Sequence, residues 1–154
     1  IAGLVIAFLV VKKRYRWAIY LAITAGGGAL LNMVLKNYFE RSRPALAQML
    51  RHASGYSFPS GHAMGSTVVL GGFTYLAMRV LPAWRQKSAA LAFAITFVLS
   101  VASSRIYLGV HWLSDIGAGI AAGLLWVMTT TTAYETFRRT RMVRAIRQRR
   151  SRES

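Results

Sequence analysis

The stretch from Trp17 to Leu35 reads WAIYLAITAGGGALLNMVL and contains no charged side chain. A helix of this length matches a hydrocarbon core about 30 Å thick. Further apolar runs occupy Ala63–Leu81, Ala89–Ser103 and about Trp112–Ala133, and a shorter run occupies Ile1–Val11. The sequence therefore predicts an all-α fold, a polytopic transmembrane helical bundle.

The charge of the 154-residue chain is strongly positive, with 20 Lys+Arg against 4 Asp+Glu and a net charge of +16. Such a balance is typical of proteins that bind nucleic acid or an anionic membrane surface. Here the basic residues form short clusters between apolar runs instead of spreading over a folded surface. We therefore expect a membrane protein with membrane lipid around it and no nucleic-acid partner. The absence of cysteine excludes disulfides and thiolate–metal sites.

The N-terminal segment Ile1–Val11 is apolar but too short to span a membrane, and it lacks the basic region and cleavage site of a signal peptide. We expect it to be the end of a transmembrane helix, with one or more upstream spans missing. Residues 1–137 are predicted to form the membrane domain. Residues 138–154 are predicted to form a basic cytoplasmic tail that faces solvent or lipid headgroups.

The basic clusters predict the orientation of the chain. If the apolar runs are alternating spans, fifteen of the 20 basic residues fall on one side. The positive-inside rule places that side in the cytoplasm, so the loop from Lys36 to His62 faces outward, into the periplasm if the membrane is a bacterial inner membrane. Five basic residues then face outward against the rule, and they need another reason to be there: Lys36, Arg41, Arg43, Arg51 and Arg105.

Three of these outward cations lie at the ends of apolar runs. Because like charges repel, Lys36, Arg43 and Arg105 on the same side of the membrane indicate an anion between them. Guanidinium groups suit the oxygens of a phosphate. Ser60 and Gly61 open a predicted helix, where free backbone N–H groups favour an anion. Together these residues predict a phosphate-binding pocket.

Two histidines flank the predicted pocket. His111 and Asp115 are four residues apart, so they share a face if they lie on one helix. Asp115 can then fix the imidazole tautomer and leave Nε2 of His111 free for nucleophilic attack. His62, on another helix, can protonate the leaving oxygen and later deprotonate a water. This set suits phosphoester cleavage without a metal or other cofactor.

Other polar residues carry a simpler interpretation. Arg41, Arg51 and His52 are expected to be ordinary residues of the outward loop. Gly119 and Gly123 have the small-xxx-small spacing that lets helices approach closely. That spacing leaves open whether the helices pack within one chain or between two copies in a homo-oligomer.

The complete pattern resembles the three-part signature of the type 2 phosphatidic acid phosphatase (PAP2) superfamily. Its parts are Lys36-x6-Arg43-Pro44, Pro59-Ser60-Gly61-His62 and Ser104-Arg105-x5-His111-x3-Asp115. The resemblance implies a helical membrane core, usually of six spans. It also implies that His111 is the nucleophile that becomes phosphohistidine, Asp115 its orienting partner and His62 the general acid/base. The residues that would hold the phosphate are Lys36, Arg43, Ser60, Gly61 and Arg105.

The resemblance favours one branch of the superfamily. Long apolar runs argue against its soluble, vanadate-binding haloperoxidases. We expect a phosphatase of the bacterial inner membrane that acts on undecaprenyl pyrophosphate, phosphatidic acid or phosphatidylglycerophosphate. The alternatives are a lipid phosphotransferase that uses the same histidine and a non-catalytic membrane protein that binds anions.

Overall fold

The computed structural model describes residues 1–44 and 55–153, which form five α-helices and no β-strand. The predicted loop residues Arg51 and His52 lie outside the described residues. The predicted all-α bundle is confirmed, with these helices: α1 (Ala2–Val11), α2 (Tyr15–Phe39), α3 (Gly61–Val80), α4 (Trp84–Tyr107) and α5 (Leu113–Glu153).

Three of the described helices are long and apolar enough to cross a membrane: α2, α4 and the segment Leu113–Arg144 of α5. Large apolar side chains on them point outward, among them Phe97, Leu99 and Leu125. Water would penalise this exposure, whereas lipid tails would not. The chain is therefore a multi-pass membrane protein.

The central helix is α3, which contacts α2, α4 and α5. It is not one of the three candidate spans, and glycine, serine and threonine occupy many of its positions. Its close packing against α5 depends on two glycines of α5. A Cβ atom at Gly119 would lie 2.8 Å from the carbonyl oxygen of Ser60, and one at Gly123 would lie 2.9 Å from Cβ of Thr67. The small-xxx-small spacing therefore serves packing within this chain.

The ends of the helices follow from local sequence. Glu40 adopts a left-handed conformation (φ 45°) that ends α2. Ser60 caps α3, its side chain accepting from the backbone N–H of Ala63. Leu81 is extended, as expected before Pro82, and it ends the same helix. These ends place the last turn of α2, the first turn of α3 and the α4–α5 connection at one end of the bundle.

Helix α5 continues without a break through the predicted boundary at residue 137 and reaches Glu153. No glycine or proline follows Gly123 in the sequence, and arginine is a good helix former. The basic segment is therefore helical where it is described. The basic segment differs from the preceding part of the helix in composition. The division of the chain into two domains stays a prediction.

Candidate active site

The centre of the candidate site is the carboxylate of Asp115, which is fully buried in the first turn of α5. Its Oδ2 accepts a hydrogen bond from the backbone N–H of Trp112 at 2.9 Å. This is one half of a capping box, in which the third residue of a helix bonds the N–H of its cap. Its backbone carbonyl accepts from the N–H of Ser60 at 2.9 Å. Asp115 thus joins the start of α5 to the start of α3.

His111 lies beside this carboxylate and is 7% exposed. Its Nδ1 is 3.4 Å from Oδ2 of Asp115 and is buried without a hydrogen-bond partner. The two residues are neighbours, as the sequence predicted, but not on one helix face, because α5 begins only at Leu113. The turn that precedes the helix brings the imidazole to the carboxylate.

The environment of His111 favours its neutral form. Burial lowers the pKa of His111, and the positive charge of Arg43 lowers it further, whereas Asp115 opposes the shift. A neutral imidazole keeps the lone pair that a nucleophile needs.

Two of the predicted phosphate-binding cations converge on one oxygen. Lys36 Nζ donates to the carbonyl oxygen of Tyr56 at 2.6 Å, and Arg43 Nη2 lies 3.5 Å from the same atom. Arg43 also donates to the carbonyl oxygens of Gly55 and Val110, both at 3.0 Å. Arg43 therefore bridges the loop before α3 and the residue next to His111.

The third predicted cation, Arg105, lies in the last turn of α4, where its Nε donates to Ser104 Oγ at 3.1 Å. No contact between Arg105 and Lys36 or Arg43 is found among the described residues. The structure thus brings two of the three cations together around one atom and leaves Arg105 at the end of its own helix.

The first turn of α3 supplies the remaining predicted residues. Ser60 is buried, and its N–H is occupied by the carbonyl of Asp115. Gly61 faces α2, since a Cβ there would lie 3.1 Å from Asn32 Oδ1 and 3.8 Å from Cε of Lys36. His62 is exposed at the start of the helix. The glycine therefore leaves room for the Asn32 side chain of α2 beside this turn.

Arg41 is not the ordinary loop residue that the sequence predicted. Its Nη1 donates to Asp115 Oδ1 at 2.8 Å and to Ser114 Oγ at 2.7 Å. A buried carboxylate needs a cation, but which arginine supplies it depends on how the loop folds over α5. The sequence offers no signal that separates Arg41 from Arg51, so this contact could be found only in the structure.

A cavity of about 680 Å³ lies elsewhere, between α2 and α5. Ile23, Trp126 and Phe137 are among the residues that line it, and none of the signature residues does. This cavity therefore does not coincide with the candidate site. The candidate site is identified by its convergent polar groups.

Comparison with known proteins places this geometry in a family. The chain matches the PAP2 superfamily over residues 16–139. The chain belongs to this superfamily. The match covers Lys36, Arg43, the start of α3 and the His111–Asp115 pair, so these site residues all lie within the matched region.

Individual relatives are named as phosphatases. The chain is 37% identical over 115 residues to phosphatidylglycerophosphatase B of Bacillus subtilis, covering 73% of this chain and 56% of the relative. It is 31% identical over 130 residues to decaprenylphosphoryl-5-phosphoribose phosphatase of Mycobacterium tuberculosis, covering 80% and 64%. It is 31% identical over 121 residues to a putative undecaprenyl-diphosphatase of Escherichia coli, covering 76% and 57%. The chain thus spans less than two thirds of the length of these curated relatives.

A solved structure shares the fold. The crystal structure of a transmembrane PAP2 phosphatidylglycerolphosphate phosphatase from Bacillus subtilis is 32% identical in sequence, with a TM-score of 0.79. The similarity covers 88% of this chain and 67% of that one. The helical arrangement described above is therefore that of a membrane PAP2 protein.

Proposed function

We propose that this protein is a membrane phosphatase that hydrolyses a lipid phosphate or pyrophosphate without a metal, through a phosphohistidine on His111. The observation that carries the proposal is the buried His111–Asp115 pair beside Lys36 and Arg43, two cations that converge on one oxygen. A phosphate oxygen that replaces the Tyr56 carbonyl would lie between two cations whose charges also act on the imidazole of His111. The names of the relatives support a phosphorylated lipid as the substrate.

In the first step, Nε2 of His111 attacks phosphorus while the bond between phosphorus and the leaving oxygen breaks. His62 donates a proton to that oxygen, which departs as the lipid alcohol or the lipid monophosphate. The Nδ1–H of the phosphorylated imidazole then faces Oδ2 of Asp115, whose negative charge stabilises the positive ring. Lys36, Arg43 and Arg105 offset the charge that develops on the phosphoryl oxygens.

In the second step, a water attacks the phosphorus of the phosphohistidine. His62, now neutral, accepts a proton from the water, and the bond between Nε2 and phosphorus breaks. Inorganic phosphate leaves, and both histidines return to their starting states. The same histidine can pass phosphate to a lipid or sugar acceptor in place of water, so the product separates a hydrolase from a phosphotransferase.

The site is proposed to face the periplasm from the inner membrane. Arg79 and the basic residues around Lys13 and Arg85 lie at the opposite end of the helices from His111, and the positive-inside rule assigns their end to the cytoplasm. The substrate would then be a lipid of the outer leaflet. Undecaprenyl pyrophosphate, phosphatidic acid and phosphatidylglycerophosphate are the candidates.

The proposal is tested by phosphate release in detergent from a panel of these three lipids, with His111→Ala beside His52→Ala. His52 lies outside the signature and is the matched histidine control. Removing a nucleophile costs on the order of a thousandfold or more in turnover. We expect that loss for His111→Ala only, inhibition by vanadate and full activity in EDTA.

Three results would contradict parts of this proposal. Phosphate release by His111→Ala at the wild-type rate would exclude the mechanism. A phosphorylated acceptor in place of free phosphate would identify a phosphotransferase. Lipid binding without any turnover would identify a non-catalytic anion-binding protein.

A further inference from the structure

We propose that Arg41 is a positioning residue that holds the carboxylate of Asp115 in the orientation that His111 needs. The inference rests on the proposed phosphohistidine mechanism. It assigns a role to a residue at one of the unspecified x positions of the PAP2 signature, two positions before Arg43. The role is distinct from phosphate binding, because Arg41 would act on the reaction only through Asp115.

The guanidinium of Arg41 makes all of its described contacts with the start of α5. Its Nη1 bonds Ser114 Oγ at 2.7 Å and Asp115 Oδ1 at 2.8 Å. The group also lies over the ring of Trp112, 5.5 Å from its centroid. Three residues at the start of α5 therefore fix its position, and the cation–π contact adds to the two hydrogen bonds.

The backbone of Arg41 is fixed as well. Its carbonyl oxygen accepts from the N–H of Ser57 at 2.8 Å and from Ser57 Oγ at 3.1 Å. The carbonyl of Ser42 accepts from Ser57 Oγ at 2.9 Å and from Trp112 Nε1 at 3.4 Å. Ser57 is fully buried. These bonds hold the segment after α2 against α5. Both the backbone and the guanidinium of Arg41 are therefore fixed in position.

The two oxygens of Asp115 consequently have different partners. Oδ1 is bonded to Arg41, while Oδ2 accepts from Trp112 and lies 3.4 Å from Nδ1 of His111. Because the carboxylate is fully buried, its negative charge is costly without a paired cation. Arg41 supplies that cation and prevents rotation of the carboxylate. Oδ2 therefore stays directed toward His111, ready to accept the Nδ1–H of the imidazolium.

Arg41 differs in its contacts from the cations of the phosphate pocket. Lys36 and Arg43 share the carbonyl oxygen of Tyr56, an acceptor that an incoming phosphate oxygen can replace. Arg41 is paired with a carboxylate that remains in place throughout the reaction. Loss of Arg41 should therefore lower turnover and leave the affinity for an anion nearly unchanged.

The test is a double-mutant cycle on phosphate release, with wild type, Arg41→Gln, Asp115→Asn and the double variant. Loss of a hydrogen bond between charged groups typically costs about 10–100-fold. We expect that loss in kcat for Arg41→Gln, with KM and the inhibition constant of vanadate within about twofold of wild type. We expect the double variant to be no slower than Asp115→Asn, because Arg41 acts through Asp115.

Arg43→Gln is the matched control, and it should weaken vanadate inhibition. Arg41→Lys keeps a cation beside the buried carboxylate, so it tests the inference even if Arg41→Gln fails to fold. Its kcat should lie between those of wild type and Arg41→Gln. Added guanidinium should partly restore kcat of Arg41→Ala, because the Arg41 side chain is 39% exposed and solute can reach its site.

Multiplicative losses of activity in the double variant would overturn the inference. Weakening of vanadate inhibition in Arg41→Gln to the same extent as in Arg43→Gln would overturn it as well. Retention of wild-type kcat by both Arg41→Gln and Arg41→Ala would do so too. His111→Ala in the same assay separates this outcome from failure of the proposed function. An active His111→Ala variant would contradict the mechanism itself, whatever Arg41 does.

Discussion

Asp115 combines a structural role and a proposed chemical role at a single carboxylate. Oδ2 bonds the N–H of Trp112 and so helps to begin α5, and the same atom faces Nδ1 of His111. The requirements of the helix end and of the histidine coincide at this atom. The four-residue spacing therefore brings His111 next to Asp115 even though His111 lies before the first residue of α5.

At the same scale, the pH dependence of kcat/KM should report the ionisation of His111. Its pKa is lowered, so the neutral nucleophile persists below pH 6.5 and is lost only at lower pH. Arg43 contributes to this lowering, so Arg43→Gln should raise the pKa of His111 and move the acidic limb of the profile to higher pH. The measurement is a profile of kcat/KM from about pH 4 to 8.

Arg105→Gln provides the comparison for the pH profile. It also removes a predicted phosphate-binding cation, but the positive charges that lower the pKa of His111 are those of Arg43 and Lys36. Activity should fall while the acidic limb stays where it is in wild type. An unchanged limb in Arg43→Gln, or a shift to lower pH, would contradict the assigned electrostatics.

The sequence could predict only those site residues that belong to a motif with fixed spacing. Lys36, Arg43, His111 and Asp115 follow from the signature, and the structure brings them to one end of the bundle. Arg41 does not follow, because its partner is set by the tertiary contacts of Ser57 and Trp112. Arg105 shows the converse: it satisfies the signature, but its side chain donates to the neighbouring Ser104 and not to the groups around Lys36 and Arg43 in the described part of the chain.

At the scale of elements, the contact between α3 and α5 fixes the positions of His62 and Asp115 relative to each other. The close approach at Gly119 and the bond from Ser60 N–H to Asp115 carbonyl lie at the same crossing. Hydropathy predicted both helices, and the glycine spacing predicted a close approach. The partner helix could not be read from the sequence, because a small-residue face does not encode what packs on it.

Substitution of Gly119 by alanine should weaken this crossing. The new Cβ would lie 2.8 Å from the Ser60 carbonyl oxygen and 3.2 Å from the Met64 nitrogen, both of them backbone atoms that cannot rotate away. Overpacking of this kind costs about 1–3 kcal/mol. A lower thermal unfolding midpoint and reduced phosphate release are expected together, both measured in detergent.

Gly117→Ala is the matched control for this prediction. Gly117 lies on the same helix, and a Cβ there meets nothing within 4 Å. Its unfolding midpoint should equal that of wild type or exceed it, because alanine favours the helix. Equal midpoints for Gly119→Ala and Gly117→Ala would show that the crossing is not as close as described.

At the scale of the whole molecule, charge is distributed unevenly between the two ends of the bundle. The site end carries Lys36, Arg41, Arg43 and Arg105, each with a hydrogen-bond acceptor in the structure. The other end carries most of the remaining basic residues, including those of α5 beyond residue 137. The proposed orientation, with the site in the periplasm, rests on this asymmetry and on the positive-inside rule.

The absence of native cysteine allows a direct test of orientation. Tyr38→Cys, at the exposed end of α2, should react with a membrane-impermeant maleimide in intact spheroplasts. Gln86→Cys, at the exposed start of α4, should react only after the membrane is opened. The reverse labelling pattern would place the site in the cytoplasm and contradict the proposed localisation.

The central claim is that phosphate becomes bonded to His111, and trapping that bond tests it most directly. Wild type, His111→Ala and His52→Ala are each incubated briefly with lipid carrying a radiolabelled terminal phosphate, then quenched in alkali, in which phosphohistidine is stable. Label should remain on wild type and His52→Ala, in the peptide that contains His111, and be lost in acid. Labelling of His111→Ala equal to wild type, or turnover without any label on the chain, would contradict the account.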